Sequence, residues 1–319
     1  MADYDQIISR DPTDDPLVPT PVSAQIIQEM PTQSAILQRA RQVPMSTKTQ
    51  RMPALDVLPF AYFVGGGDTG MKKTTKQDWK NVNLVVEEIA AIVPIPESYL
   101  DDAQVPIWDE VRPRMVEAIG SVLDAACLFG VNKPSTWPSA IYQAAVAAGN
   151  TVAVGTGGDL AVDVANVGEK LAQDGYSING FICRPGFRWR LNALRSKDGA
   201  PIYQPDLQGG MGSTLYGFGL SEVNNGAWDA NEAELIMGDW SKCLIGLRQD
   251  ITWKVFTEGV ISDDDGKVIL NLMQQDAVAL RVVMRVAFAT ANPVTRLNAD
   301  SATRYPFGVL QSATGGGSS

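Results

Sequence analysis

The chain has 319 residues, of which 45% are hydrophobic and 19% charged, with a formal net charge of −10. That length allows about two domains of ordinary globular composition. The acidic balance excludes a protein that grips nucleic acid by neutralising phosphates, a mode that needs clustered Lys and Arg, so any contact with DNA is expected to be weak. Histidine is absent, which removes the commonest general base and metal ligand.

In chain order, residues 1 to about 20 are rich in Asp and Pro and offer little apolar surface, which predicts a mobile start. This stretch has neither a basic n-region nor an apolar h-region. No run of about 18 apolar residues follows anywhere, so a soluble, unsecreted chain is expected, with no membrane contact. Ile26, Ile27 and Met30, then Ile36 and Leu37 ahead of Arg39 and Arg41, predict one or two short helices separated by Pro31, together an N-terminal arm. Next, Ala54–Val64 and Trp79–Val93 read as extended segments around a polar, glycine-rich tip, GGGDTGMKKTTKQ, which makes a long hairpin. Val82, Leu84, Val86, Ala90 and Ile92 alternate with Asn83, Val85, Glu87, Ile89 and Ala91, so both faces are partly apolar. A two-stranded ribbon is marginal in water by itself, and Lys72, Lys73, Lys76 and Lys80 resist burial without partners. The ribbon is therefore expected to lie on another subunit.

From Pro106 to Phe129 the residues Trp108, Val111, Met115, Ile119, Val122, Ala126 and Phe129 recur at steps of three and four, which predicts a helix roughly 36 Å long with one apolar face. Asp109 with Arg112 and Glu110 with Arg114 stand at ion-pair spacing. Pro113 should bend the helix and Gly130 should end it. Residues from about Ser135 to Gly266 alternate short helices and strands, including Ser139–Ala148, Thr151–Gly155, Leu160–Gln173, Gly180–Cys183 and Phe187–Arg195, which predicts a mixed α/β unit. Within it Leu160, Val164, Val167 and Leu171 form a helical stripe, and Glu234–Ile245 and Asp250–Phe256 read as strands. Late in the chain Val278, Leu280, Val282, Met284, Val286 and Phe288 alternate with Arg281 and Arg285. They predict a strand returning to the long helix, with burial at about 25 cal/mol per Å² tying late chain to early chain. The ending, ATGGGSS, reads as linker.

Several motifs imitate chemistry. Gly65 to Lys72 has glycines spaced like a phosphate-binding loop, but Met71 and Lys72 stand where Lys and Ser or Thr are required. TVAVGTGGDL is a strand, a glycine turn and a helix start, yet Leu160 occupies the position that needs Gly or Ala; a plain turn capped by Asp159 is expected, with a nucleotide-dependent enzyme as the distant rival. Ser262–Val268 lacks the spaced oxygen ligands of a calcium loop, and Asp265-Gly266 reads as a hairpin turn. Glu87, Glu88, Asp101 and Asp102 read as solvated charges. Cys127, Cys183 and Cys243 are odd in number and far apart, so buried reduced thiols are expected rather than a zinc ribbon or disulfides. No catalytic, cofactor or metal residue emerges.

The order of elements, with the segments SAILQRARQVPMSTKTQRMPALD, TTKQDWKNVNLVVEEIAAIVPIPESYLDDA, EAIGSVLDAACLFG and DAVALRVVMRVAF, resembles the Hong Kong 97 type of tailed-bacteriophage major capsid protein over most of Val22 to Phe288. The resemblance implies an α+β fold with an N-terminal arm (1–53), an extended β-hairpin loop (54–93), a peripheral domain with a long spine helix (94–134 and 267–319) and a mixed α/β axial domain (135–266). It implies self-assembly into pentamers and hexamers of an icosahedral virion shell around double-stranded DNA, built in the host cytoplasm, with scaffolding, portal and decoration proteins as further partners. Contacts between subunits are then expected at Ile26, Ile27, Gly66, Lys72, Lys73, Lys76, Trp79 and Lys80, and the peripheral core at Trp108, Val111, Met115, Ile119, Val122, Val282, Met284 and Val286. Some relatives weld subunits by a Lys–Asn bond, for which Lys72, Lys73, Lys76 or Lys80 could offer the amine and Asn292 or Asn298 the amide; no motif fixes any of them, and solvated lysines contacting neighbouring carboxylates are the plainer expectation. An encapsulin-like bacterial compartment shares the fold and is the alternative.

Overall fold

The computed structural model describes residues 34–61, 63, 74–103, 106–194, 214–263 and 265–313. Helix α1 (Ala35–Arg39) leads into strand β1 (Arg41–Pro44), the ribbon strands β2 (Thr49–Val57) and β3 (Asp78–Val85), then β4 (Glu87–Pro96), α2 (Glu97–Asp102) and the long α3 (Ile107–Leu128). Next come α4 (Ile141–Ala148), β5 (Thr151–Ala153), α5 (Leu160–Gln173), β6 (Gly180–Cys183), α6 (Phe187–Asn192), β7 (Thr214–Leu215), β8 (Phe218–Glu222) and β9 (Ala233–Gly238). The chain closes with β10 (Cys243–Phe256), β11 (Val260–Ser262), β12 (Val268–Asn271), β13 (Ala277–Thr290) and β14 (Phe307–Gln311).

Two sheets organise these elements. A four-stranded sheet has the order β1-β10-β13-β4, and a six-stranded sheet the order β5-β14-β9-β6-β8-β7. Strand β13 is apolar on both faces because it is central: β10 and β4 flank it antiparallel, and its even-numbered side chains Leu280, Val282, Met284, Val286 and Phe288 join Met115, Ile119, Leu123, Ala126 and Cys127 of α3 in one core. Each fully buried aliphatic side chain there contributes about 1.5–3 kcal/mol. Trp108 and Val111 pack at the border of that core. Val122 does not belong to it and is 50% exposed. The inward line runs 115, 119, 123, and Leu123 takes the place that a three-residue step would have given to Val122. Helix α3 passes through Pro113 and ends where Gly130, at φ +80°, donates its N–H to the Ala125 and Ala126 carbonyls. Asp109 pairs with Arg112 at 3.6 Å, whereas Arg114 reaches forward to Glu117 at 2.8 Å.

The long second arm of the expected hairpin is in fact two strands. β3 pairs with β2, and β4 leaves at Val86 to pair with β13 in the larger sheet. Unbroken alternation hides the break, which follows from the need of β13 for a neighbour on each side. Val86 itself is buried, its N–H bonded to the Lys48 carbonyl. The hairpin also starts at Thr49 rather than Ala54, and its first strand stops at Val57, two residues before Pro59. The expected strand Glu234–Ile245 is interrupted by a single 3₁₀ turn, Trp240–Lys242, where Asp239 accepts the Ser241 N–H, and β10 runs on through Asp250 with two register shifts. Sheet membership crosses the expected segment bounds as well. β10 lies beside β13, and β14 lies between β5 and β9, because the chain passes between the sheets at Asp239 and again after Thr290. Hairpin β11–β12 turns at Gly266, φ +79°, with the Asp263 carboxylate accepting the Lys267 N–H. The three cysteines are buried and unpaired, and burial pushes each thiol pKa up. No helix among the described residues is long and apolar enough to cross a membrane.

Candidate assembly interface

Two segments bear on contact with neighbours, the described start of the arm and the ribbon. The arm is fixed by a carboxylate that belongs to the spine helix. Asp124, fully buried in α3, accepts four hydrogen bonds: from Ser34 Oγ at 2.6 Å, from the Ala35 and Ile36 N–H groups at 2.9 and 3.1 Å, and from Asn225 Nδ2 at 2.7 Å. Ser34 also accepts the Leu37 N–H and so caps α1. Burial raises the Asp124 pKa, and the four donors oppose that shift. From this root β1 runs parallel to β10, while Arg39 crosses to the other sheet and donates to Ser221 Oγ through Nε and Nη2. Its guanidinium lies where a Cβ on Gly180 would stand, so a larger residue there would displace the Arg39 side chain. Desolvation lowers the Arg39 pKa.

The ribbon is divided along its length. Its base is packed: Leu84 and Val86, with Val82 and Met52 beside them, cluster with Met45, Leu244, Ala287 and Ala289. The outer half is bare, with Phe60 61% and Trp79 60% exposed and Phe63 wholly so. Between ribbon and body runs a groove of about 430 Å³ bordered by Asp56, Lys80, Asn83, Trp137 and Asn292. Trp137 ties the base down by donating to the Val85 carbonyl at 3.0 Å. Lys76 pairs with Asp78 at 2.7 Å in full solvent, a contact of little energetic weight. Of the contact residues expected from the sequence, Lys76, Trp79 and Lys80 therefore sit on the exposed ribbon. Ile26, Ile27, Gly66, Lys72 and Lys73 lie outside the described residues, as does the phosphate-loop look-alike ending at Lys72.

Asn292 and Asn298 prove to be structural. Asn292 Oδ1 accepts from Tyr176 Oη and Arg304 Nε, and its Nδ2 donates to the Arg304 carbonyl. Asn298 Nδ2 donates to Asp174 Oδ1 at 2.7 Å. With buried Arg304 they knit the segment after β13 to the end of α5, and burial pushes the Tyr176 phenol up to about 12. At the glycine turn before α5 the Gly155 and Gly157 N–H groups donate to Asp163 at 2.7 and 2.6 Å. Asp159 stands at the N-cap as expected, but its side chain makes no capping hydrogen bond. Asp124, Asn225 and Arg39 escaped sequence reasoning. The available signal was a lone carboxylate inside the apolar run SVLDAACLFG.

The phage capsid family matches residues 15–294. A major capsid protein of Staphylococcus phage 80alpha is 26% identical over 272 residues, spanning 84% of this chain and 79% of its own length. A solved chain from Microbacterium phage Oxtober96 is 40% identical with a TM-score of 0.82, covering 93% of this chain and 96% of its own. One from Mycobacterium phage Adephagia is 33% identical, also at 0.82, over 93% and 95%.

Proposed function

Because the chain belongs to the phage capsid family and serves as the major capsid protein of a tailed phage, we propose that it closes into an icosahedral shell of pentamers and hexamers around double-stranded DNA, each copy clasping its neighbours with arm and ribbon. The observation that carries this reading is the divided ribbon, whose base is buried at home while Phe60, Phe63 and Trp79 stand bare. Exposed aromatics on one projecting element mark a surface made for a partner. In this division α3 with the four-stranded sheet forms the peripheral domain, and the six-stranded sheet the axial domain that meets its copies around the symmetry axes. Scaffolding, portal and decoration proteins are further partners. The net charge of −10 keeps contact with the packaged DNA weak, as suits a lining that must not hold the genome.

The relatives that match are phage proteins, which favours a virion shell over a cargo-holding compartment. Electron microscopy with light scattering on the purified chain tests the proposal. Megadalton shells or rings of five and six subunits are expected, and a monodisperse monomer under all assembly conditions would refute it.

A further inference from the structure

The face of the four-stranded sheet turned away from α3 carries the odd-numbered side chains of β13. At one end Ala287 and Ala289 are covered by the ribbon base, and at the other Ala277 and Ala279 pack with Phe256, Ile261, Leu270 and Leu272 at the β11–β12 hairpin. Arg281 and Arg285 lie between these covers. Arg285 is matched by Glu88 on β4 at 2.9 Å. Arg281 is opposed by Lys254 on β10 and by Ile92 on β4, so one rung of the sheet sets a cation directly against a cation. Both charges sit 4.8 Å from the centroid of the Phe256 ring. Neither has an ion-pair partner among the described residues, and the Arg281 Nε is shut off from solvent with no acceptor.

Like charges directly opposite one another on a sheet are destabilising. The shared aromatic face offsets part of that cost, but among the described residues no carboxylate answers the pair. We propose that the Lys254–Arg281 rung is a contact site for carboxylates of a second copy of this chain. The inference rests on the self-assembly reading and adds where one copy receives another. Two features favour a second copy over a nucleic acid backbone. The chain has 36 acidic against 26 basic residues, so any copy arrives rich in carboxylates. Half-exposed Ile92 on the same rung, a large apolar side chain, suits a protein flank rather than a run of phosphates.

The test compares assembly of the full chain with that of Lys254→Glu, Arg281→Glu and the charge-keeping Lys254→Arg and Arg281→Lys, following shell formation by light scattering against salt. Charge reversal should slow assembly about tenfold or more at low salt, the charge-keeping forms should stay within about twofold, and the steep salt dependence of the native chain should flatten in Lys254→Glu. Lys254 is exposed and its reversal sets a carboxylate opposite Arg281, so the subunit fold stays intact, checked by a melting temperature no lower than the parent's. Assembly of Lys254→Glu at the native rate overturns the inference, as do normal shells that have lost retained DNA, since a phosphate would then be the ligand. A native chain that never assembles overturns the self-assembly reading itself.

Discussion

The root of the arm and the described outer part of the ribbon are opposites in how their groups are satisfied. At the root every polar group is answered at home: Ser34, Ala35, Ile36 and Asn225 all converge on Asp124. On the ribbon the apolar groups of the base are answered by Ala287 and Ala289, and those of the outer half by nothing in the described protomer. A projecting segment thus needs one internally satisfied anchor, and everything beyond the anchor is free to be satisfied by a neighbour.

Deleting Gly66–Lys76 breaks this contrast most severely. Shells should vanish from electron micrographs while the melting temperature stays within a few degrees of the parent, and a subunit that unfolds instead would show the tip to be part of the core. Second in size is Phe288→Ala, which opens a cavity between β13 and α3 and should cost about 3–5 kcal/mol in a urea titration. Asp124→Ala attacks the root. It strands the Ser34 hydroxyl, two backbone N–H groups and the Asn225 amide, for about 3 kcal/mol of lost stability, with faster hydrogen exchange in β1. Smaller again is the pH effect. Since burial raises the folded-state pKa of Asp124 above its unfolded value, its contribution is complete below the ordinary carboxylate range and is lost as pH rises through the raised value. The stability advantage of the native chain over Asp124→Asn should therefore shrink as pH rises above the ordinary carboxylate range, about pH 4, read from urea midpoints. Smallest for the fold is Trp79→Ala, with less than about 0.5 kcal/mol lost but assembly weakened, which separates folding from clasping at a single residue.

Much of this was legible in the sequence because it obeys simple periods. The stripe Met115, Ile119, Ala126 and the alternation of Val282, Met284 and Val286 locate the spine helix and its strand. Where the period carries no information, reading failed. Val85, Val86 and Glu87 alternate without interruption across the point where the chain changes sheets, and a stripe that steps by three or by four residues from Ile119 admits either Val122 or Leu123, of which the core takes only Leu123. Long-range polar pairing was hidden for another reason. Asp124 meets Ser34 and Asn225 across 90 and 101 residues, and no local pattern joins them. The bonds from Arg304 to Asn292 and from Asn298 to Asp174 are silent in the same way.

The pinning of the arm has a mechanical consequence. Tension applied through the leading residues enters the subunit at Asp124, near the C-terminal end of a 22-residue helix, and is shared at once with β1 and, through Arg39, with the opposite sheet. A pull from any neighbour that holds the arm is thus delivered to both sheets together, so a lattice of such subunits would stretch as linked solid bodies rather than peel apart strand by strand.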